Sequence, residues 1–375
     1  MYRKEYSVVS LLKYILIFVS IISVLFVNET NQRYAIAFFE ILIILIFVYA
    51  IINVNVEYGP FILLVSMLTF LVIKAVFSFW ESFNVGRIID FVLTNKSIYY
   101  LMLLIPIARL KILDSSMARF LFYFISVCFF LKYSALHLEG NTRPLLFTEN
   151  NFEIIFYLFI YYSYYLSSNR VYNWYDIFGV FLITMLTGSR SGLACFVFLY
   201  FAISFKKLDL KFVLSAVTGC FLLLFVSVVF YERLGDSSIS NIDRVVFFNL
   251  WLTEWSSVDL VEKLFGFFNL HPLSQATCNY LNYYHLLFSH EDSSMCYSVI
   301  LHSYNLRAML DYGLLGTIFV YTTLYHIVKY RRTKRDATIV TIIFVLNGMS
   351  VSALSSTIII FGLILILLNK DSLKD

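Results

Sequence analysis

Long apolar stretches, separated by short polar connections, run along almost the whole chain. A membrane-spanning helix needs about 20 predominantly apolar residues, within a range of about 17–25. Stretches of this kind lie at 11–27, 35–53, 61–79, 117–134, 152–166, 192–205, 212–230 and 313–329. Shorter ones lie at 97–110 and 176–187, and 337–369 has room for two tight spans that turn near 352–356. The pattern predicts an all-α polytopic membrane protein with about 12 transmembrane helices.

Positive residues gather in alternate connections, and this sets the expected orientation. Short cytoplasmic loops of membrane proteins are enriched in Lys and Arg. If the N-terminus lies inside, the inner segments hold most of the chain's Lys and Arg: Arg3, Lys4, Lys13, Arg109, Lys111, Arg119, Arg170, Lys206, Lys207, Lys211, Lys329, Arg331, Arg332, Lys334, Arg335, Lys370 and Lys374. We therefore expect both termini to be cytoplasmic.

One connection is far longer than the others. Residues 231–302 form a polar segment of about 70 residues between the ninth and tenth predicted spans, on the outer side. Long loops in compact proteins are usually functional. This loop carries four of the six histidines: His271, His285, His290 and His302. We expect a single membrane domain over 1–375 with 231–302 as a large outer loop.

Two of the five cysteines, Cys278 and Cys296, also lie in this loop, whereas the other three fall within predicted spans. Outside the cytoplasm a disulfide between them would persist. Two free thiols are the alternative, because the backbone separation required for a disulfide is narrow. The sequence leaves both arrangements open.

Composition excludes several classes of protein. With 60% hydrophobic and 14% charged residues, the chain is too apolar for a soluble domain, which averages about 25% charged residues. The net charge of +4 comes with no basic stripe of the kind that nucleic-acid binding requires. No hydrolase or nucleotide-binding motif is found, and the loop histidines do not match a zinc spacing. We therefore predict no metal site and no nucleic-acid partner.

Four short signatures fall on the predicted outer side, where they could carry chemistry. They comprise Arg143 with Glu149 and Asn151; 187–192 with Ser189 and Arg190; Arg244 with Trp251 and Gly266; and His302 with Asn305, Gly313 and Gly316. Arginines grip phosphate oxygens with paired donors and keep their charge when partly desolvated. An anionic ligand at this membrane face is the functional interpretation.

Each signature also has a structural interpretation. Arg190 at a helix end can snorkel to lipid head groups, and Arg244 can form a solvated salt bridge. His302 can be an interfacial cap, Glu149 can face a helix dipole, and the two glycines can serve close helix packing. Lys74 and Lys132, near outer span ends, are expected to snorkel.

In order and spacing, the four signatures resemble the O-antigen polymerase and O-antigen ligase superfamily over about residues 115–330. That resemblance rests on Arg143 with Asn151, on 189–192, on Arg244 with Gly266, and on the stretch from His302 to Gly316. The chain departs from the pattern by lacking a proline before 264–266 and by carrying Arg307 where an apolar residue is common.

The resemblance implies a C-type membrane glycosyltransferase of the bacterial inner membrane with a periplasmic active site. Its donor would be an undecaprenyl-pyrophosphate-linked glycan, handled without a cofactor or metal, in an inverting transfer. Partners would be these glycans, membrane lipids and, as an optional addition, a chain-length regulator protein. His302, Arg244 and Arg190 would be catalytic, with His302 accepting the proton of the attacking hydroxyl or orienting it. The substrate-binding residues would be Arg143, Glu149, Asn151, Ser189 and Asn305.

Three functions remain open at this point. The acid Glu149 in the first signature resembles polymerases more than ligases, which would transfer finished polysaccharide to lipid A–core. A polytopic transporter is the alternative from another class. Transporters often show internal repeats and broken helices with polar groups near the midplane, whereas this sequence concentrates its polar residues in one outer loop. We therefore expect a polymerase.

Overall fold

The computed structural model describes the chain except for residues 1, 26–28, 55–56, 82–87, 142–143, 172, 205–242 and 371–375. The predicted span 212–230, Cys220 and Arg143 fall outside the described residues. Every other predicted span coincides with an α-helix, and the described part contains no β-strand. The prediction of an all-helical chain is therefore confirmed for these residues.

The helices are α1 (Tyr2–Leu25), α2 (Glu29–Asn53), α3 (Tyr58–Glu81), α4 (Ile88–Thr94), α5 (Lys96–Ile107), α6 (Ser115–Leu138), α7 (Asn150–Ser167), α8 (Trp174–Leu186), α9 (Arg190–Ser204), α10 (Asp243–Ser257), α11 (Leu260–Phe265), α12 (Gln275–Tyr280), α13 (Tyr304–Arg331), α14 (Lys334–Gly348) and α15 (Thr357–Leu368). Short 3₁₀ helices lie at Asn282–Leu287, Ser298–Leu301 and Ala353–Ser355. The last of these marks the predicted turn near 352–356.

Three of the described helices are long and apolar enough to cross a membrane, at Tyr34–Asn53, Tyr58–Ser78 and Ser115–Leu138. A fourth candidate is the pair α4 and α5, which is bent by 61° at its break. Large apolar side chains remain exposed along these helices, including Ile41, Ile44, Phe61 and Leu131. A chain that leaves so much apolar surface uncovered is a helical membrane protein.

The helix α15 lies at the centre of the bundle. All of its residues, Thr357 to Leu368, are buried, and its main neighbours are α7, α2 and α5. Gly362 permits the close approach to α7, because a Cβ there would lie 3.1 Å from the Phe156 ring. A helix that is hydrophobic on every side belongs in the interior of a large bundle.

The helical bundle has two ends, and each gathers segments from several parts of the chain. At the end that we call the basic end, 112–113 pair with Leu368 through backbone hydrogen bonds, and Arg170 forms an ion pair of 2.8 Å with Asp336. Segments that the charge pattern predicts to lie on one side of a membrane therefore meet in space. At the opposite end α7, α9, α13 and α15 begin and α14 finishes.

Two arginines of the basic end are buried rather than solvated. Arg331 donates from Nε to Leu367 O at 3.0 Å, and Arg332 donates from Nη2 to Ile366 O at 2.7 Å. These carbonyls belong to the last turn of α15, where no helical partner exists for them. The two guanidinium groups therefore cap α15 and complement the negative end of its dipole.

The prediction that Lys74 and Lys132 snorkel is wrong, because both side chains are buried. Lys132 donates from Nζ to Val24 O at 2.9 Å, in the last turn of α1. Lys74 donates to Phe267 O at 2.8 Å and to Asp311 O at 2.6 Å. Each ammonium group satisfies carbonyls that a helix end or break leaves without a partner.

The outer loop folds on itself from residue 243 onward. Its small core includes Phe247, Trp251, Leu281 and Leu301 and packs on Leu310 of α13. Cys278 and Cys296 are joined by a disulfide, with their Cα atoms 5.6 Å apart. Of the two arrangements that the sequence leaves open, the structure has the disulfide. Cys128 and Cys195 are free and buried within helices, as their positions in spans predict.

Candidate functional site

The first and second signatures meet where α7 and α9 begin. Ser189 donates from Oγ to Asn151 Oδ1 at 2.7 Å, and Asn150 donates from Nδ2 to Thr187 O at 3.0 Å. Ser189 Oγ also accepts from the backbone N–H of Gly192 at 3.1 Å. Asn151 and Ser189, both predicted to bind substrate, therefore hold the two helix starts together.

Gly192 is required for this contact. A Cβ at Gly192 would lie 2.5 Å from Ile154 Cγ2, so any larger residue would push α9 away from α7. The small residue Gly192 beside Arg190 thus serves helix packing.

Arg190 is half-buried at the first position of α9. The register of α9 against α14 gives its level in the bundle: Cys195 Sγ contacts Ile343 O at 3.8 Å, and Arg335 reaches Ala202 O. The two helices are antiparallel, and at a rise of about 1.5 Å per residue this register brings Arg190 level with Gly348. Arg190 therefore lies at the end of the bundle where α14 finishes.

The third and fourth signatures meet through their glycines. Gly266 (φ +76°) and Gly313 (φ +69°) both have backbone angles that side chains disfavour. A Cβ on Gly313 would lie 2.3 Å from Gly266 N, so the two backbones touch. The expected role of Gly313 in packing is confirmed, although its partner is the outer loop and the glycine also breaks α13.

His302 lies directly before α13, between the loop core and the helix. Its φ is +54°, a left-handed conformation that is uncommon outside glycine. The imidazole contacts the rings of Tyr284 and Phe247, with centroids 5.2 and 5.6 Å away. Ser352 donates from Oγ to His302 O at 3.1 Å. The ring is therefore half-buried between two aromatic side chains, and the backbone of His302 is held by Ser352.

Charged groups from two helices surround His302. Burial lowers the pKa of His302, and the positive charges of Arg307 and Arg244 lower it further, while Asp243 opposes them. Arg244 is exposed and donates from Nε to Ser350 Oγ at 2.6 Å. Two of the three predicted catalytic residues, His302 and Arg244, thus lie within electrostatic reach of each other.

Arg307 is a residue of this site that sequence reasoning missed. It is only 3% exposed, and it donates from Nη2 to Thr94 O at 3.2 Å, at the break between α4 and α5. Its Nη1 lies 3.5 Å from Ser352 Oγ, the hydroxyl that also binds the backbone of His302. The available sequence signal is that Arg307 stands where the superfamily pattern commonly has an apolar residue.

Two acids near the start of α7, Glu149 and Glu153, have different surroundings. Glu149 precedes α7, reaches solvent, and makes no capping hydrogen bond; partial burial of its carboxyl raises its pKa. Glu153, four residues on, is fully buried and accepts from the backbone N–H groups of Leu146 and Phe147 and from the Tyr133 hydroxyl. Glu153 therefore shapes the loop that presents Glu149, a role with no local sequence signal.

Asn305 has a structural environment. Its Nδ2 donates to Val345 O at 3.1 Å, and its Oδ1 accepts from the Tyr321 hydroxyl. Gly348 leaves room for it, since a Cβ there would lie 2.6 Å from Asn305 Oδ1. The side chain predicted to bind substrate therefore joins α13 to α14.

Among the described residues, no group of three or more His, Cys, Asp or Glu side chains is arranged to hold a metal ion. No protein-family model matches the chain, and no curated protein matches it. What the site can do therefore has to be argued from its own chemistry. It offers an imidazole with a lowered pKa, cations for an anionic group, and an exposed acid, all at one end of the bundle.

Proposed function

We propose that this chain is a membrane glycosyltransferase that polymerises undecaprenyl-pyrophosphate-linked oligosaccharides into O-antigen or a related surface polysaccharide. The proposal includes about twelve spans in a bacterial inner membrane, cytoplasmic termini, and a periplasmic site. The observation that carries it is the meeting of the third and fourth signatures, where Arg244 lies within electrostatic reach of His302. Arg244 donates to Ser350 and His302 accepts from Ser352, two residues further along the same loop.

The chemistry assigns a task to each group. A hydroxyl of the acceptor sugar attacks the anomeric carbon of the donor glycan, and the bond from that carbon to the pyrophosphate oxygen breaks. The leaving undecaprenyl pyrophosphate takes the bonding electrons, so negative charge grows on its oxygens. Cations aimed at developing charge are commonly the largest catalytic contribution, and Arg244 and Arg190 provide them.

His302 takes the hydroxyl proton in this scheme. A general base must be unprotonated at the working pH, and the lowered pKa of His302 favours its neutral form. The ring is oriented by Tyr284 and Phe247, and its backbone by Ser352. Glu149 is exposed at the same end and is available to bind sugar hydroxyls.

Transfer of finished polysaccharide to lipid A–core is an alternative use of the same groups. A transporter is favoured by a different observation: α13 breaks at Gly313, the α4–α5 pair is bent by 61°, and Lys74 and Arg307 are buried at these breaks. Broken helices that carry buried polar groups are a feature of transporters. These groups donate to backbone carbonyls, which supports a structural role and leaves the polymerase as the preferred function.

Deletion of the gene, followed by gel analysis of lipopolysaccharide, tests the proposal. Loss of a polymerase leaves lipid core capped by one repeat unit, whereas loss of a ligase or of a transporter leaves bare core. Bare core or an unchanged ladder would refute polymerisation. If bare core is found, a second assay of undecaprenyl-linked glycans separates a ligase from a transporter, since only loss of a ligase accumulates long undecaprenyl-linked chains.

A further inference from the structure

A cavity lies at the basic end of the bundle, remote from His302. It measures about 400 Å³ and opens between the start of α3, the end of α5 and the end of α13. Lys329, on its rim, comes 16 residues after Gly313, or about 24 Å along a straight helix. The cavity is therefore separate from the candidate active site.

Most of the cavity wall is apolar. The α3 side contributes Pro60, Ile62 and Leu63, and the facing wall comes from Ile105 and Ile327. Gly59 leaves the wall open, because a Cβ built on it would meet no atom within 4 Å. Such a surface suits a hydrocarbon chain and offers few partners to a sugar or a nucleotide.

The rim of the cavity is polar and carries net positive charge. Lys329 is half-buried beside Tyr325, with Nζ 5.9 Å from the ring centroid. His326 and Tyr330 are exposed on the same rim. Glu57 is nearby, but it forms an ion pair of 2.5 Å with Arg109. Among the described residues of this rim, Lys329 is thus the lysine or arginine that lines the cavity and can contact a ligand.

We propose that this groove is a binding site for an anionic phospholipid. One acyl chain lies along the apolar wall beside Gly59, and the phosphate of the head group contacts Lys329. Basic pockets between transmembrane helices are suited to anionic head groups, because the helices bury the acyl chain while the cation binds the phosphate. This binding goes beyond the proposed glycosyl transfer and does not depend on it.

Lipid retention measures this binding directly. The protein is reconstituted in nanodiscs of equal parts phosphatidylglycerol and phosphatidylcholine, extracted into mild detergent, and examined by native mass spectrometry. We expect one phosphatidylglycerol to remain bound in preference to phosphatidylcholine. Lys329→Gln should reduce this retention about fivefold, in line with the attraction of one lysine to an anionic membrane surface.

Two matched pairs separate the groove from the general lipid shell. Gly59→Trp fills the open wall, and Gly179→Trp is its control, because a Cβ at either glycine meets nothing within 4 Å. Lys334→Gln is the control for Lys329→Gln, since Lys334 is an exposed cation near the same end. Retention should fall only in the Gly59 and Lys329 variants. Equal retention of the two lipids by the natural protein, or the same retention in all four variants, would overturn the proposal.

Discussion

The behaviour of His302 depends on residues that come from several parts of the chain. Tyr284 and Phe247 hold the ring from the outer loop, Arg244 belongs to α10, and Arg307 belongs to α13. Each group alone has an ordinary structural explanation. Together they leave the imidazole half-buried and surrounded by more positive than negative charge, which favours a proton acceptor.

Replacing His302 or Arg244 with Ala should lower polymer formation by about 10²–10³, the usual effect of losing a contact made in the transition state. Polymer length and amount on lipopolysaccharide gels, at matched protein levels, provide the measurement. His285→Ala is the control, because His285 is an exposed histidine of the same loop. Wild-type ladders from both alanine variants would defeat the assignment.

The charge of Arg307 should determine the pH below which the rate of glycosyl transfer falls. Burial and then Arg307 lower the pKa of His302, so the neutral base persists to lower pH than for a free histidine. In Arg307→Gln the pKa of His302 should rise, and the acid limb of the pH–rate profile should move to higher pH. Arg307→Lys keeps the charge and should leave the limb nearly in place. Purified protein with lipid-linked glycan supplies the profiles, and identical limbs in all three proteins would contradict this role.

At the scale of elements, breaks in helices create the buried polar contacts. Gly313 interrupts α13, which leaves Asp311 O to accept from Lys74. The break after Thr94 leaves a carbonyl that accepts from Arg307 and from the Tyr312 hydroxyl at 3.1 Å. Without these donors the carbonyls would be buried and unpaired, at a cost of about 1–3 kcal/mol each.

Gly313→Ala should destabilise the protein. The disfavoured backbone conformation alone costs about 1–3 kcal/mol, and the clash of the new Cβ with Gly266 adds to that cost. Thermal unfolding in detergent shows the loss as a lower apparent Tm. Gly179→Ala is the comparison, since its Cβ would face open space. If the two variants unfold at the same temperature, the glycine contact does not matter for stability.

The disulfide joins segments on either side of the 3₁₀ helix Asn282–Leu287, ahead of His302. The two cysteines are 18 residues apart, and in the chain-entropy model closing a loop of about that length stabilises the folded protein by about 3 kcal/mol. Alkylation of unreduced, denatured protein should therefore leave Cys278 and Cys296 unlabelled, and labelling should follow reduction. Full labelling of both cysteines without reductant would show that the bond is absent.

At the scale of the whole molecule, the helices place predicted inner and outer segments at opposite ends. The loop 329–336 and residue 370 gather at the basic end, whereas His302 and the end of α14 lie at the other. A chain that crosses a membrane between them must expose these ends to different compartments.

Reporter fusions test that arrangement. A fusion within the 329–336 loop and one after Lys374 should both report a cytoplasmic position, and one within 231–302 should report a periplasmic position. A periplasmic signal after Lys374 would mean that α14 and α15 together cross the membrane only once. The two fusions on opposite sides of α13 act as controls for each other.

The sequence by itself determined where the apolar helices lie and how the charges alternate, because apolar runs and the cost of burying charge are local properties. The helices of the outer loop, α10 to α12, were not predicted, since they lie in a polar segment without long apolar runs. Tertiary structure decided which polar groups meet. Lys74 binds carbonyls 193 and 237 residues away, Arg307 binds one 213 residues away, and Glu153 is enclosed by a loop whose shape no local pattern encodes. Snorkelling was predicted for Lys74 because the sequence cannot show the helix break that supplies its partners. Partners at such separations depend on the path of the whole chain, and only the folded protein reveals them.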